Sequence, residues 1–178
     1  MRILIVDDSF TGSKILSRIL CRFDCNVCCA ENSDHALKIL ETNPDDYFDV
    51  IFIDAYMPGE CNGIELSCII KQSYNVSTII VGMGIDLEDE LLFREANADL
   101  FIVKPLDVYV ITKFIRDLQN GHHFCTKDTI HLSNLITYTD STQIDNSNNI
   151  QNHNNNNNDN NERLRPKNSI TCLCNWFI

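Results

Sequence analysis

Up to about residue 120 the chain alternates between two hydrophobic periods, short continuous apolar runs and stripes spaced three and four residues apart. Arg2–Val6 is a continuous run rich in β-branched residues, as expected of a strand covered on both faces. From Thr11 to Phe23 the apolar residues Ile15, Leu16, Ile19, Leu20 and Phe23 fall on one helical stripe. Val27–Ala30 predicts a second strand, and Ser33 a helix cap for a segment through Glu41 with Ala36, Leu37 and Leu40 inward. Asn43-Pro44-Asp45-Asp46 then breaks the pattern. Asp49–Asp54 predicts a third strand, and Ile64–Ser73 a helix with Leu66, Ile69 and Ile70 inward. Thr78–Val81, Leu87–Ala96, Asp99–Val103 and Val108–Leu118 continue as strand, helix, strand and helix, the last ending before Gly121.

Strands this apolar have no wet face, and strand–helix alternation with right-handed crossovers specifies a parallel sheet covered on both sides. The expected fold is therefore an α/β, doubly wound, five-stranded parallel sheet of flavodoxin-like type over residues 1–120. Residues 121–140 keep Ile130, Leu132, Leu135 and Ile136, enough for a short extension of uncertain structure. Residues 141–178 form an Asn-rich low-complexity linker and an apolar tail. Eleven Asn fall within 146–161, and such a tract buries too little to offset backbone ordering, so disorder is expected.

Composition narrows the function classes. Of a net charge of −11, all is carried by residues 1–140, where 22 acidic residues face 11 basic ones. That balance argues against nucleic-acid binding, which needs Lys and Arg to displace phosphate counterions, and leaves room for a cation site. The N-terminal apolar run stops at Asp7-Asp8, unlike a signal peptide, and no stretch is long enough for stable membrane insertion. Nine Cys without a secretory signal predict reduced thiols and a cytoplasmic or nuclear setting. The cluster Cys21, Cys25, Cys28 and Cys29 lacks the spacing of a metal site and reads as small residues in and near the core.

In such a sheet ligands bind outside the carboxyl ends of the strands. Asp7 and Asp8 follow strand one, Asp54 ends strand three, and Lys104 with Pro105 ends strand five, so three carboxylates and one amine converge on one edge. Two carboxylates about 5 Å apart repel by roughly 3 kcal/mol at an effective dielectric of 20, so stability gives no reason to assemble three. A hard divalent cation reverses that sign, and a carboxylate beside it can accept a phosphoryl group.

At these residues the chain resembles a response-regulator receiver domain, the phosphoacceptor module of two-component and phosphorelay signalling. The matching pieces are Ile3-Leu-Ile-Val-Asp7-Asp8, Asp54-Ala-Tyr-Met57-Pro58 with Gly63, and Val103-Lys104-Pro105, in order and at the predicted strand ends. The resemblance implies that Asp54 is the phosphoacceptor and that Asp7, Asp8, Asp54 and the backbone carbonyl of Tyr56 hold Mg²⁺. It implies that Lys104 contacts the phosphoryl group, that Pro58 and Pro105 shape their loops, and that Phe101 is the switch aromatic. It further implies a histidine kinase or histidine phosphotransfer protein as donor, signalling by altered partner binding, and no enzyme activity beyond formation and loss of an aspartyl phosphate.

The family pattern breaks at strand four. Where a Thr or Ser hydroxyl is usual, ungapped counting from Lys104 finds Gly82, and a shift of one finds Met83. Asp54 to Gly63 is one residue longer than the commonest spacing, and Tyr56 replaces a small polar residue, where its ring is expected to cover the phosphoryl group. The missing hydroxyl keeps a second expectation open, a pseudo-receiver acting as a constitutive interaction module. No helix-turn-helix or enzyme pattern occurs in residues 121–178, so a stand-alone regulator is expected. Cys172 and Cys174, with nearby Arg163, Arg165 and Lys167, leave palmitoylation open.

Overall fold

Alternation of side chains across each strand sorts the apolar residues of this chain into two cores, one on either side of a single sheet. The computed structural model describes residues 1–44, 46–74 and 77–121, together with the backbone of 130–131. Its elements are β1 (Arg2–Val6), α1 (Phe10–Cys21), β2 (Asn26–Ala30), α2 (Ser33–Glu41), β3 (Val50–Asp54), α3 (Gly63–Ser73), β4 (Ile79–Gly84), α4 (Leu87–Glu95), β5 (Leu100–Val103), α5 (Val108–Gln119) and β6 (Ile130–His131). All pairings are parallel, in the order β2-β1-β3-β4-β5-β6. The doubly wound flavodoxin-like fold is borne out. The sheet has one strand more than expected, because β6 pairs with the far edge of β5.

Ile3 and Ile5 of β1, Phe52 of β3, Val81 and Met83 of β4 and Ile102 of β5 pack against Leu16 and Leu20 of α1 and Ile111, Phe114 and Ile115 of α5. Leu4 and Val6, Ile51 and Ile53, Ile80 and Phe101 face the other way, onto Ala36 of α2, Leu66 and Ile70 of α3 and Phe93 of α4. Burying each such side chain stabilises the fold by about 1.5–3 kcal/mol.

Four local expectations need correction. Ile15 is half exposed, because the inward stripe of α1 is the narrower Leu16, Ile19, Leu20. The cap of α2 is Asn32, whose side chain accepts from His35 N–H, and Ser33 is the first helical residue. Cys21 and Cys29 are exposed, although Cys25 and Cys68 are buried. Strand β4 runs three residues past Val81, so Gly82 and Met83 lie inside the ladder rather than in a loop. No described helix is long and apolar enough to cross a membrane. The expected Asn-rich linker and tail, including Cys172 and Cys174, lie outside the described residues.

Candidate functional site

The carboxyl ends of β3, β4 and β5, and those of β1 and β2, are tied side by side beyond the regular ladder. Ala55 N–H donates to the Met83 carbonyl at 2.8 Å, Lys104 N–H to the Gly84 carbonyl at 2.7 Å, and Asp7 N–H to the Ala30 carbonyl at 3.1 Å. These bonds fix where the side chains of Asp7, Asp54 and Lys104 leave the sheet. Asp7 and Asp54 are buried, 3% and 6% exposed, while Asp8 is exposed. One carboxylate oxygen from each of the three lies within 4.8 Å of the others. Among the described residues this is the one group of three or more acidic, His or Cys side chains close enough to share a metal ion.

Lys104 Nζ bridges the buried pair, 2.9 Å from Asp54 Oδ2 and 3.2 Å from Asp7 Oδ2. The other Asp7 oxygen accepts from Ser9 N–H at 2.8 Å, and Ser9 caps α1 through Gly12 N–H. Burial pushes the Asp54 carboxyl above its ordinary value and the nearby Asp7 charge adds to that, against the opposing hydrogen bonds from Lys104 and from Tyr56 N–H. For Lys104 burial pulls downward, but the hydrogen bonds and charges of Asp54 and Asp7 outweigh it, and its amine is held above the ordinary value. Lys104 is therefore a fixed cation, and burial disfavours the ionised form of Asp54 in the absence of further positive charge. Three oxygen donors around one amine leave an excess of negative charge, and this donor set suits a hard divalent cation.

The loop from Asp54 to α3 is anchored at several points. Met57 is buried in the α2–α3–α4 core, and Ser33 of α2 donates to the Cys61 carbonyl at 2.8 Å. Pro58 is exposed and precedes Gly59, whose φ of +137° is accessible only to glycine. Asn62 and Glu65 close a capping box at the start of α3. Gly63 rides directly on β3, since a Cβ there would lie 1.7 Å from the Asp54 carbonyl oxygen.

The remaining expected residues sort themselves by face. Phe101 is fully buried on the α4 side, and its neighbour across the β4–β5 ladder is Gly82. Gly82, not Met83, is thus the β4 position adjoining the aromatic. Met83 is buried in the opposite core and pairs with Asp54 across the β3–β4 ladder. A Cβ on Gly82 would meet the Phe93 ring at 2.5 Å, so Phe93 fills the space a side chain would need; it packs on Phe101 with ring centroids 5.9 Å apart. Pro105 is exposed.

Tyr56 is 59% exposed and its hydroxyl donates to Asp89 Oδ1 at 2.7 Å, which pushes the phenol up to about 12. Phe93 and Asp89 escaped the sequence reading. Phe93 lies on an ordinary apolar helix stripe, and Asp89 looks like any first-turn acid favourable to a helix N-terminus. The paired glycines at 82 and 84, just past the predicted strand end at Val81, were the signal.

Residues 3–116 match the family model described as response regulator receiver domain. Among curated proteins the chain is 30% identical over 129 residues to "Hybrid signal transduction histidine kinase L" of Dictyostelium discoideum, covering 68% of this chain and 8% of that protein. It is 35% identical over 109 residues to "Stress response regulator protein 1" of Debaryomyces hansenii, covering 58% of this chain and 43% of that protein. The chain thus spans less than half the length of either relative. Among solved structures, a CheY-like response regulator receiver domain from Methanospirillum hungatei aligns with TM-score 0.59 at 23% identity, over 68% of this chain and 94% of that one. Chemotaxis protein CheY4 of Vibrio cholerae aligns with TM-score 0.55 at 25% identity, over 67% and 96%.

Proposed function

The chain belongs to the response regulator receiver domain family, and on that premise we propose that it accepts a phosphoryl group on Asp54 from a phosphohistidine and signals through altered binding to a protein partner. The observation that carries this reading is the Asp7–Asp8–Asp54 oxygen cluster with Lys104 bridging its two buried members. An Asp54 oxygen attacks phosphorus, a P–O bond forms, and the P–N bond to the donor imidazole breaks with the electron pair leaving on nitrogen. Lys104, already 2.9 Å from Asp54, neutralises charge on the transferred group as a point cation. Asp7, Asp8, Asp54 and the Tyr56 carbonyl would hold Mg²⁺, which when bound supplies charge neutralisation for the carboxylates and the phosphoryl oxygens.

Hydrolysis of the acyl phosphate by water returns Asp54, so the domain is a timed switch rather than an enzyme with an external product. Phe10, 76% exposed at the start of α1 beside Asp7 and Asp8, offers an apolar contact for the donor. Ile85, Leu87, Leu91, Val108 and Tyr109 are exposed at the segment before α4, along α4 and at the start of α5, and suit a partner whose binding follows phosphorylation. Such partners belong to the cytoplasm or nucleus.

A second reading, a pseudo-receiver that binds partners constitutively, is favoured by one feature, the ring of Phe93 where a β4 side chain would stand. Phosphotransfer from a radiolabelled histidine phosphotransfer protein separates the two. Label on the wild type with Mg²⁺, absent from Asp54→Asn, supports the phosphoacceptor. Unlabelled wild type with equal partner binding in wild type and Asp54→Asn supports the pseudo-receiver.

A further inference from the structure

We propose that Asp89 is a positioning residue for the Asp54 loop, acting through Tyr56 so that the start of α4 follows the state of Asp54. This rests on the phosphoacceptor reading of Asp54 and assigns the route by which that site reaches the α4 face. Tyr56 is engaged at both ends. Its backbone N–H faces the Asp54 carboxylate and favours its charged form, and its hydroxyl donates to Asp89 Oδ1 at 2.7 Å. Asp89 is fully buried, and its second oxygen accepts from Ile85 N–H at 2.7 Å, in the turn between β4 and α4. Two hydrogen bonds thus run from Tyr56, the second residue after Asp54, through Asp89 to the backbone of residue 85.

Three features argue that this series is more than incidental surface bonding. A fully buried carboxylate is costly unless its oxygens are satisfied, and among the described residues no Lys or Arg lies within ion-pair distance of Asp89. Its two oxygens are answered by Tyr56 and Ile85 instead. The cavity for that carboxylate exists because residue 84 is glycine, since a Cβ there would lie 2.6 Å from both Asp89 Cβ and Asp89 Oδ2. Two residues back along β4, Gly82 has no hydroxyl and Phe93 fills the space above it, so on this face β4 offers no side chain to report on Asp54. A phosphoryl group on Asp54 adds acceptor oxygens beside Tyr56 N–H; the backbone at 56 shifts to meet them, and the tyrosine hydroxyl carries that shift to Asp89 and Ile85.

The test is hydrogen exchange of the full chain, read by mass spectrometry over residues 79–92, with and without beryllofluoride and Mg²⁺ as the phosphoryl mimic. Bound fluoride is followed separately by its ¹⁹F resonance. The expected result is a mimic-dependent change in exchange at Ile85 and the first turn of α4 in wild type. That change is lost in Tyr56→Phe, which keeps the backbone carbonyl, and in Asp89→Asn, each compared with wild type at equal mimic occupancy. A merely structural contact would alter exchange equally with and without the mimic and leave the difference intact. A Tyr56→Phe protein that binds the mimic and keeps the full difference overturns the proposal, as does a wild type that binds it with no change in this segment. Wild type that binds no mimic overturns the phosphoacceptor reading and this route with it. Should Asp89→Asn fail to fold, Tyr56→Phe decides alone, because its side chain is 59% exposed and loses only a hydroxyl.

Discussion

Returning a hydroxyl to β4 by Gly82→Ser is expected to weaken this protein rather than repair it. A Cβ at residue 82 would stand 2.5, 2.6 and 2.8 Å from Cγ, Cδ2 and Cδ1 of Phe93, against an ordinary carbon–carbon separation of about 3.5–4.0 Å. The ring must therefore retreat by roughly 1 Å. It has nowhere open to go, since Phe93 is fully buried and packs on Phe101 at 5.9 Å between centroids. Overpacking of this kind costs about 1–3 kcal/mol, and removing a strand glycine returns about 0.5–1 kcal/mol, so a net loss of about 1–2 kcal/mol is expected. Urea unfolding of wild type, Gly82→Ser, Phe93→Leu and the double variant measures it. Phe93→Leu alone destabilises by leaving a void, but combined with Gly82→Ser the smaller side chain relieves the clash. The double variant should be more stable than the sum of the single losses by about 1 kcal/mol or more. Gly82→Ser as stable as wild type, or losses that add to within about 0.5 kcal/mol, would refute the argument that Phe93 occupies the missing side chain's place.

Other substitutions probe the acid edge. Gly63→Ala places a Cβ 1.7 Å from the Asp54 carbonyl and should cost more than about 3 kcal/mol in urea unfolding, because backbone rather than a flexible side chain must move. Lys104→Met leaves two buried carboxylates without their bridging cation; in chelator it should lose about 2–3 kcal/mol, and millimolar Mg²⁺ should recover part of that in thermal melts. Asp8→Asn, at an exposed position, should change stability without metal by less than about 0.5 kcal/mol yet weaken the Mg²⁺-dependent rise in Tm. Asp54 has its pKa raised by burial, so when folded it binds a proton more readily than when unfolded. Its ionised form thus opposes folding at neutral pH, and this penalty fades as pH falls through the raised value. Without metal, Asp54→Asn should be more stable than wild type at neutral pH, with the advantage shrinking on acidification.

Much of the site was legible because the chemistry sits where the hydrophobic pattern stops. Asp7, Asp54 and Lys104 each end an apolar run, and parallel strand order then brings them to one edge whatever the loops do. The choice between Gly82 and Met83 was not legible: it follows from the β4–β5 register, which sets Gly82 beside Phe101 and leaves Met83 in the opposite core. What local pattern could not supply was the partner of an absent side chain. The apolar run predicted β4 to end at Val81, whereas the strand continues through Gly82 and Gly84, with Phe93 and Asp89 of α4 against their faces. That contact joins residues eleven and five positions apart through tertiary packing, and no periodicity within either segment encodes it. Strand β6 was unreadable on similar grounds: Ile130–His131 is two residues long and owes its strand geometry to the free edge of β5. Ile15 went astray because an apolar side chain at the border of a stripe is as compatible with solvent as with core.

The central claim is that Asp54 is the nucleophile of a working receiver despite the filled pocket beside Phe101. Intact mass spectrometry after brief incubation with acetyl phosphate and Mg²⁺ tests it most directly. The expected result is one phosphoryl adduct on wild type, lost with chelator, sensitive to hydroxylamine as an acyl phosphate is, and absent from Asp54→Asn. An adduct that persists in Asp54→Asn, or none on wild type with either acetyl phosphate or a phosphohistidine donor, would contradict it.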